Sequence, residues 1–448
     1  MARKRSGSRL LVALNGRCVG VLDRAASGAI SFKYDSEWLR DEARAIPVSL
    51  SLPLREDRYS GAVVSAYFDN LLPDNVEIRR LVAERVGANG TDPFSLLDKI
   101  GRDCVGALQF VPEGEEIVQP GPPQALPLSD AEVAEMIRHL ATSPLGVRAD
   151  GEKEFRISIA GAQEKTALLW DDGWRHPQGA TPTTHILKPE LGKLAHGMDM
   201  RTSVESEHFC LTLCRELGLD TARTQVLDFE DVRVLSVERF DRLHTNDGRL
   251  LRIPQEDFCQ ALSVPPTRKY DRDGGPGIQE CLDLLGGSDY PEQDRRAFLK
   301  AQILFWLLGA TEGHAKNFSL FLTPGGRYRM TPLYDVMSVQ PNYAARKLAR
   351  NRFRMAMAIG ENRHYIINEI LPRHFFQSAK AVGFPKSDVE AICSELVAGI
   401  DAAIERSVQA MPAGFPDELI QAIEKGIRQR LKKIEREGMG RGVKGLRG

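Results

Sequence analysis

A short polar stretch, residues 309–319, places four chemically active side chains within six positions. They are a carboxylate, an imidazole, an ammonium group and an amide, at Glu312, His314, Lys316 and Asn317. The stretch follows an apolar run, 303–310, that is predicted to be buried. Because polar side chains at the end of a buried element commonly carry binding or catalysis, this stretch is a candidate site.

Glu312 and Asn317 are five positions apart, the offset between the catalytic acid and the metal-binding asparagine in protein-kinase catalytic loops. The alternating segment 318–330, interrupted by the turn signal Pro324-Gly325-Gly326, predicts a hairpin. A hairpin returns the chain to its start, so Asp335 is predicted to come back beside Asn317. An amide oxygen and a carboxylate that converge in this way form a hard oxygen-ligand pair for Mg²⁺.

Two further segments suggest anion binding. In 155–170, strand-like residues flank a loop of small residues followed by Lys165, which would let backbone N–H groups approach phosphate oxygens. An ordinary tight hairpin is the alternative, and the GxxxxGK[ST] pattern is absent. The strand 184–189 places Lys188 on a buried face, where an ammonium group needs an anionic partner, either a phosphate or an acidic side chain.

The composition is that of an ordinary globular protein. With 448 residues, 42% hydrophobic and 27% charged, the chain is long enough for two or three domains. The formal net charge of -1 argues against a protein whose main activity is wrapping nucleic acid. Both ends are rich in lysine and arginine, and solvated, partly disordered ends are the simpler interpretation.

The seven cysteines are an odd number and include no CxxC pair, so neither a zinc site nor a disulfide framework is predicted. A reducing, cytoplasmic location is the simplest expectation. The N-terminus lacks an apolar signal core and the run 303–310 is too short to cross a bilayer, so no membrane association is expected.

The order of local patterns predicts the organisation of the chain. Short strands and then helices form a small α/β unit up to about residue 112, and 112–127 has linker composition. A helix is predicted from Asp130, with Ser129 as its N-cap. Another helix is predicted to start within 254–257, and the later chain is mostly helical.

Several motifs occur in a fixed order at 68–74, 100–103, 158–165, 184–188, 237–241, 254–257, 273–278, 309–319 and 334–335. In this order they closely resemble the HipA family of bacterial toxin kinases, which are serine/threonine kinases of toxin–antitoxin modules. The resemblance implies an α+β, bilobal protein-kinase-like fold. Its parts would be an N-terminal α/β subdomain at 1–112, a kinase N-lobe at 128–250 and a mostly helical C-lobe at 251–448.

The resemblance also implies a site for ATP and Mg²⁺. Its nucleotide-binding residues would be Ala160, Gly161, Ala162, Gln163, Glu164, Lys165, Lys188, Glu238, Arg239, Phe240, His314, Ala315, Lys316, Asn317, Tyr334 and Asp335. Asn317 and Asp335 would hold the metal, and Glu312 would accept the proton of the substrate hydroxyl. Ser158 matches the serine at which the family phosphorylates itself, and the charge added there would displace the phosphate loop.

The family further implies a HipB-type helix-turn-helix antitoxin, repression of operator DNA through that antitoxin, and a link to bacterial persistence. The protein substrate would be an aminoacyl-tRNA synthetase; glutamyl-tRNA synthetase is the best-known family target. Lys380 occupies a position where the family can touch the DNA backbone. A neighbouring basic position is Gly383 here, so a solvated lysine is the alternative.

Glu312 departs from the family pattern, which has an aspartate at this position. The extra methylene moves the carboxylate by about 1 Å, a misplacement that can cost on the order of 100-fold in rate. Either a natural variant with compensating shifts or a substitution introduced to attenuate a toxic enzyme would explain it. Two functional hypotheses follow: an active kinase, or a catalytically weak or inactive nucleotide-binding co-repressor that acts through the antitoxin.

Overall fold

The computed structural model describes residues 8–140, 163–194 and 197–439. The chain divides into two compact units, neither of which is a continuous stretch of sequence. The first unit comprises Met1–Pro189, Leu227–Thr267 and Ser319–Tyr328. The second comprises Glu190–Val226, Arg268–Phe318 and Arg329–Gly448.

The N-terminal part of the first unit is an antiparallel sheet with helices packed on it. Its elements are β1 (Arg9–Leu14), β2 (Arg17–Arg24), β3 (Ile30–Tyr34), α1 (Ser36–Arg40), β4 (Tyr59–Ser60), α2 (Ala62–Asp69), α3 (Val76–Val86), α4 (Pro93–Ile100) and β5 (Leu108–Pro112). The strand order is β4-β3-β2-β1-β5. Phenylalanines from strands and helices, including Phe32, Phe68 and Phe110, meet in one core, which explains why this segment folds as an α/β unit.

A second sheet of the first unit carries the predicted strand lysine. The next elements are β6 (Ala125–Pro127), α5 (Asp130–Arg138), β7 (Thr166–Trp170), β8 (Trp174–Pro177), β9 (His185–Pro189), β10 (Gly192–Lys193), β11 (Asp199–Met200), α6 (Ser203–Glu216), β12 (Thr224–Phe229), β13 (Val232–Glu238), β14 (Arg242–His244), β15 (Leu250–Arg252), β16 (Gln255–Asp257) and α7 (Phe258–Ala261). The sheet order is β12-β13-β9-β7-β8-β6. Helix α5 begins at the predicted cap, because the Ser129 side chain accepts a hydrogen bond from the backbone N–H of Glu132.

One predicted helix start is wrong. Residues 255–257 form strand β16, and helix α7 begins only at Phe258, capped by the side chain of Asp257. Strand β16 pairs with β17 (Ser319–Thr323), with Glu256 opposite Leu320. The carboxyl of Glu256 is buried against the loop at Leu50, so contacts distant in sequence override the local helix signal.

The hairpin predicted after Asn317 is present. Strand β17 is followed by a short 3-10 turn at Pro324–Gly326 and by β18 (Arg327–Met330). Together with β16 they form a three-stranded sheet in the order β16-β17-β18. The turn residues Gly325 and Gly326 have positive φ angles of 79° and 71°, which is why glycines occupy these positions.

The second unit is mainly helical. Beside β10, β11 and α6, which also belong to this unit, its elements are α8 (Ile278–Leu285), α9 (Pro291–Leu308), α10 (Gln340–Ala344), β19 (Arg354–Ile359), β20 (His364–Ile366), α11 (Pro372–Ala381), α12 (Lys386–Gln409) and α13 (Asp417–Met439). Helix α9 packs against α6, α8 and α13, and its apolar residues, including Phe298 and Trp306, are buried as predicted. Within the described ranges, no helix combines the length and hydropathy needed to cross a membrane.

Candidate active site

The polar stretch begins where helix α9 ends. Gly309 terminates the helix with a φ angle of +71°, and the N–H of Ala310 donates to the carbonyl of Phe305 at 2.9 Å. Gly313 then passes so close to the helix that a Cβ atom would lie 2.4 Å from the Phe305 ring. Only glycine therefore allows the backbone to run along the buried end of α9 and present the neighbouring side chains.

Glu312 lies on the open side of this loop. Its side chain is 47% exposed, and its carbonyl accepts a hydrogen bond from the Asn317 amide nitrogen at 2.9 Å. Its Oε2 atom accepts a hydrogen bond from the Tyr270 hydroxyl at 2.5 Å and lies 3.6 Å from Nε2 of buried His314. The carboxylate is thus accessible to a substrate and is held by two neighbours.

The surroundings of Glu312 also change its acidity. Desolvation by the surrounding protein raises the pKa of Glu312 above its usual range. The hydrogen bond from Tyr270 and the positive charge of Lys269 oppose that shift. The nearby negative charge of Asp335 adds to it, which places Asp335 within electrostatic range of Glu312.

The segment that carries Asp335 is fixed at both ends. Before it, the N–H of Leu333 donates to the carbonyl of Asp220 at 2.9 Å. After it, the hydroxyl of Ser338 donates to the carbonyl of Leu308, at the end of α9, at 2.6 Å. Between these anchors, the Tyr334 hydroxyl donates to the carbonyl of Lys316 at 3.0 Å. The predicted return of the chain to the polar stretch is therefore confirmed.

Asp335 has an unusual backbone conformation. Its φ angle is +58°, in the left-handed region that costs residues other than glycine on the order of 1–3 kcal/mol. Aspartate tolerates this region better than most residues, but nothing in the sequence pattern predicts it. Such strain persists only where surrounding contacts impose it, and it is frequent at active sites.

The side chains of Asn317 and Asp335 have the chemistry to bind a magnesium ion. Asn317 uses its amide nitrogen to hold Glu312, which leaves the Oδ1 atom as the group suited to a cation. Together with the carboxylate of Asp335 it provides hard oxygen ligands. The described residues contain no group of three or more His, Cys, Asp or Glu that could hold a metal. Two protein ligands plus phosphate oxygens and water is a common arrangement for Mg²⁺.

His314, Ala315 and Lys316 are all buried, and the last two belong to a 3-10 turn at Ala315–Asn317. The structure therefore brings together Glu312, His314, Ala315, Lys316, Asn317, Tyr334 and Asp335 in the second unit. Their predicted roles with nucleotide and metal remain predictions, and they rest on this shared location.

In the first unit, two predicted phosphate-binding lysines occupy neighbouring strands. Lys165 immediately precedes β7 and Lys188 is in β9, and both are buried. These strands pair antiparallel with Thr166 opposite Leu187, so the register continued by one residue sets the two lysines opposite each other. Facing residues of paired strands have their side chains on the same face of the sheet, so the two lysines share one face.

Of the other residues predicted in or beside the phosphate loop, the structure describes Gln163 and Glu164. Gln163 donates to the carbonyl of Pro189 at 2.8 Å, which ties the loop to the end of β9. Burial raises the pKa of Glu164. Ser158, Ala160, Gly161 and Ala162 lie outside the described residues.

The three predicted hinge residues follow β13. Glu238 is exposed, and the Phe240 ring meets the Phe321 ring edge-on at 5.7 Å. The Arg239 side chain is buried and donates to both carboxylate oxygens of Asp241 and to Thr183 Oγ1. Any contact between Arg239 and an adenine ring would therefore be made by its backbone.

The Arg239 contacts belong to a buried ionic cluster that the sequence patterns did not predict. Its members are Asp103, Arg239, Asp241, Arg242 and Arg252, all less than 10% exposed. Burial alone would raise the pKa of Asp103, but the three guanidinium groups outweigh it and lower the pKa. The closely spaced charged residues at 238–242 were the local signal from which this cluster could have been predicted. Tyr270 was also missed, and no motif surrounds it.

Lys380 lies exposed in the last turn of α11, and Gly383 follows that helix with a φ angle of +66°. The lysine is accessible, which agrees with either a DNA contact or a solvated side chain.

Two segments of the chain match models of known protein families. Residues 10–111 match the HipA N-terminal domain, and residues 157–404 match the HipA-like C-terminal domain. Among curated proteins, a putative kinase from Sinorhizobium fredii, Y4mE, is 38% identical over 330 residues, covering 72% of this chain and 76% of that protein. The serine/threonine-protein kinase toxin HipA of Shewanella oneidensis is 27% identical over 408 residues, 88% of each chain.

A solved structure is also similar. It is the complex of HipA, HipB and operator DNA from the Shewanella oneidensis toxin–antitoxin system, with a TM-score of 0.78 and 26% identity. The alignment covers 95% of this chain and 97% of the neighbour. The mixed helix-and-sheet fold described above is therefore the HipA fold, a kinase-like fold.

Proposed function

This chain belongs to the HipA family, and from this premise we propose that it is a serine/threonine kinase that transfers the γ-phosphoryl group of Mg-ATP to a protein hydroxyl. The observation that carries the proposal is the group formed by Glu312, Asn317 and Asp335. An accessible carboxylate beside two hard oxygen ligands would supply the proton acceptor and the metal site that phosphoryl transfer needs.

Glu312 is the proposed proton acceptor. The substrate hydroxyl oxygen bonds to the γ-phosphorus, the bond from that phosphorus to the β–γ bridging oxygen breaks, and ADP leaves. The hydroxyl proton passes to the Glu312 carboxylate, which is open to solvent and is held by the Tyr270 hydroxyl. Magnesium bound by Asn317 and Asp335 would supply neutralisation of charge on the phosphate oxygens.

Lys165 and Lys188 are proposed to bind the ATP phosphates. They are buried on facing positions of neighbouring strands, so a triphosphate bound at this face could contact both ammonium groups. The loop 160–162 is proposed to cover the same phosphates, and the backbone at 238–240 is proposed to receive the adenine.

The proposed partners come from the family. A relative is described in complex with HipB and operator DNA, which supports a HipB-type helix-turn-helix antitoxin here and repression of an operator through it. The proposed protein substrate is an aminoacyl-tRNA synthetase, with glutamyl-tRNA synthetase as the first to test. Autophosphorylation at Ser158 is proposed as the step that inactivates the kinase.

Incubation of the full chain with Mg-ATP, followed by mass spectrometry of the Ser158 peptide, tests the proposal. We expect an increment of roughly 80 Da, one phosphoryl group, and the same increment on added synthetase. Asp335→Ala should abolish both signals because it removes a metal ligand, whereas Asp283→Ala, a change of an exposed carboxylate on α8, is the matched control.

The outcomes separate the two functional hypotheses. Transfer that depends on Asp335 supports the kinase. Binding of Mg-ATP without transfer to Ser158 or to any synthetase would support the nucleotide-binding co-repressor instead. A signal that survives Asp335→Ala would contradict the proposed metal site.

A further inference from the structure

Tyr270 belongs to a short segment of the second unit that precedes helix α8. The segment is held by Asp271, whose carboxylate accepts hydrogen bonds from the N–H of Ala358 at 2.8 Å and from Arg363 at 2.6 Å. The carbonyl of Tyr270 itself accepts the N–H of Gly275 at 3.0 Å. These contacts fix the backbone at Tyr270.

The Tyr270 side chain is fixed as well. Its ring lies edge-on to His314, with centroids 4.8 Å apart at 87°. The cationic groups of Lys269 and Arg272 lie 5.6 Å and 5.1 Å from the ring centroid. Its hydroxyl reaches Oε2 of Glu312 at 2.5 Å. An oxygen donor on a rigid ring is thus aimed at one oxygen of the carboxylate.

A glutamate needs such a support more than an aspartate does. Its side chain has one additional rotatable bond, so its carboxylate can occupy more positions unless a neighbour selects one. Tyr270 and His314 both approach the Oε2 atom of Glu312. The Oε1 atom is then the acceptor that can face a substrate hydroxyl.

We propose that Tyr270 is a positioning residue, which holds the longer Glu312 side chain in the one orientation that accepts the proton of the substrate hydroxyl. The inference rests on the proposed kinase function and adds to it the residue that makes glutamate workable at this position. Tyr270 touches Glu312 and not the reacting atoms, so its effect on the reaction passes through the carboxylate.

Tyr270→Phe is the central variant, because it removes one oxygen and keeps the ring that contacts His314 and the two cations. We expect kcat to fall by about 10- to 100-fold, the range that loss of orientation by about 1 Å can cause. The KM for ATP should change by less than about 2-fold, because the ATP-binding groups are untouched. Tyr290→Phe, a change of an exposed tyrosine at the start of α9, is the matched control.

A double-mutant cycle distinguishes positioning from a general structural role. In a Glu312→Asp background the side chain is one methylene shorter, so its carboxylate lies about 1 Å further from the Tyr270 hydroxyl and no longer accepts its hydrogen bond in the same geometry. Adding Tyr270→Phe should then change kcat by less than about 2-fold, so the two changes are not additive. An equal loss in both backgrounds would overturn the proposal.

A crystal structure of the Tyr270→Phe full chain gives a readout that does not depend on activity. We expect the Glu312 carboxylate to leave its position or to occupy more than one, with the melting temperature showing that the variant is folded. An unmoved, single Glu312 conformer would overturn the positioning role even if the chain transfers no phosphate. Absence of transfer by the unchanged chain would instead count against the kinase proposal alone.

Discussion

Glu312 combines an accessible carboxylate with a raised pKa, and each property has a separate physical cause. The loop geometry imposed by Gly313 presents the side chain to solvent. Desolvation by the surrounding protein and the charge of Asp335 raise its pKa, while the Tyr270 hydrogen bond opposes that shift.

Glu312→Gln tests this role at the level of a single residue. The amide keeps the size of the side chain but cannot accept a proton, so kcat should fall by about 100- to 10,000-fold. Mg-ATP affinity should stay within about 2-fold, because the proposed metal and phosphate ligands remain. Steady-state phosphorylation and calorimetric titration measure the two quantities.

Glu361→Gln is the control for that experiment, since Glu361 is an exposed glutamate of the same unit. A Glu312→Gln protein as fast as the unchanged chain would contradict the assignment of Glu312 as the proton acceptor. Loss of Mg-ATP binding in the same variant would point to a role in folding of the loop instead.

At the scale of elements, the buried ionic cluster joins the loop before β5 to the residues after β13. Asp103 accepts hydrogen bonds from Arg242 at 2.7 Å and from Arg252 at 3.0 Å. Arg239 and Arg242 also pair with Asp241. Three buried guanidinium groups thus share two buried carboxylates. Removing either carboxylate would leave buried positive charge without its partner.

Asp103→Ala should lower the free energy of unfolding by about 3–5 kcal/mol, the cost of leaving a buried charge without its partner. Urea denaturation followed by circular dichroism measures the change. Asp57→Ala, at an exposed position of the same unit, should stay within about 0.5 kcal/mol of the unchanged chain. Equal stability of both variants would show that the cluster is not what joins these elements.

Glu256 gives strand β16 a pH-dependent contribution to stability. Burial raises its pKa from 4.5 to about 8, although hydrogen bonds from Leu50 and Ser49 oppose the shift. Below pH 4.5, the pKa of Glu256 in the unfolded chain, its carboxyl is neutral in both the folded and the unfolded state, and its contribution to stability is fully present. As pH rises from 4.5 towards 8, only the unfolded chain ionises, so the free energy of unfolding falls by up to about 1.4 kcal/mol per pH unit.

Glu256→Gln isolates this contribution because the amide stays neutral at every pH. The unchanged chain should lose stability relative to the variant between about pH 5 and about pH 8, measured by urea denaturation at both values. A constant difference between the two proteins over that interval would show that Glu256 ionises normally in the folded chain.

At the scale of the whole molecule, nucleotide binding should appear as stability. A ligand that binds only the folded chain stabilises it by about 2.7 kcal/mol at 100 times its dissociation constant. Mg-ATP is therefore expected to raise the melting temperature of the unchanged chain. Lys188→Met should largely remove the rise, and Lys33→Met, at an exposed position of β3, should not. If Mg-ATP raises the melting temperature of both variants equally, Lys188 does not contribute to nucleotide binding.

Much of this protein follows from sequence alone, because the deciding signals are local or recur as motifs. Alternation around Pro324-Gly325-Gly326 determined the hairpin that returns the chain to the polar stretch, and Ser129 determined the start of α5. The order of short motifs identified the HipA family, which the comparisons confirm. Each signal depends on residues a few positions apart, so it can be recognised before the chain is folded.

The tertiary structure alone decided the contacts between distant residues. Tyr270 reaches Glu312 across 42 positions, and Asp103 meets Arg239 across 136. Residues 255–257 form a strand where the local pattern predicts a helix start, and Asp335 adopts a left-handed φ angle that no local pattern predicts. Such contacts depend on how packed elements bring side chains together, and no local pattern of residue types encodes that packing.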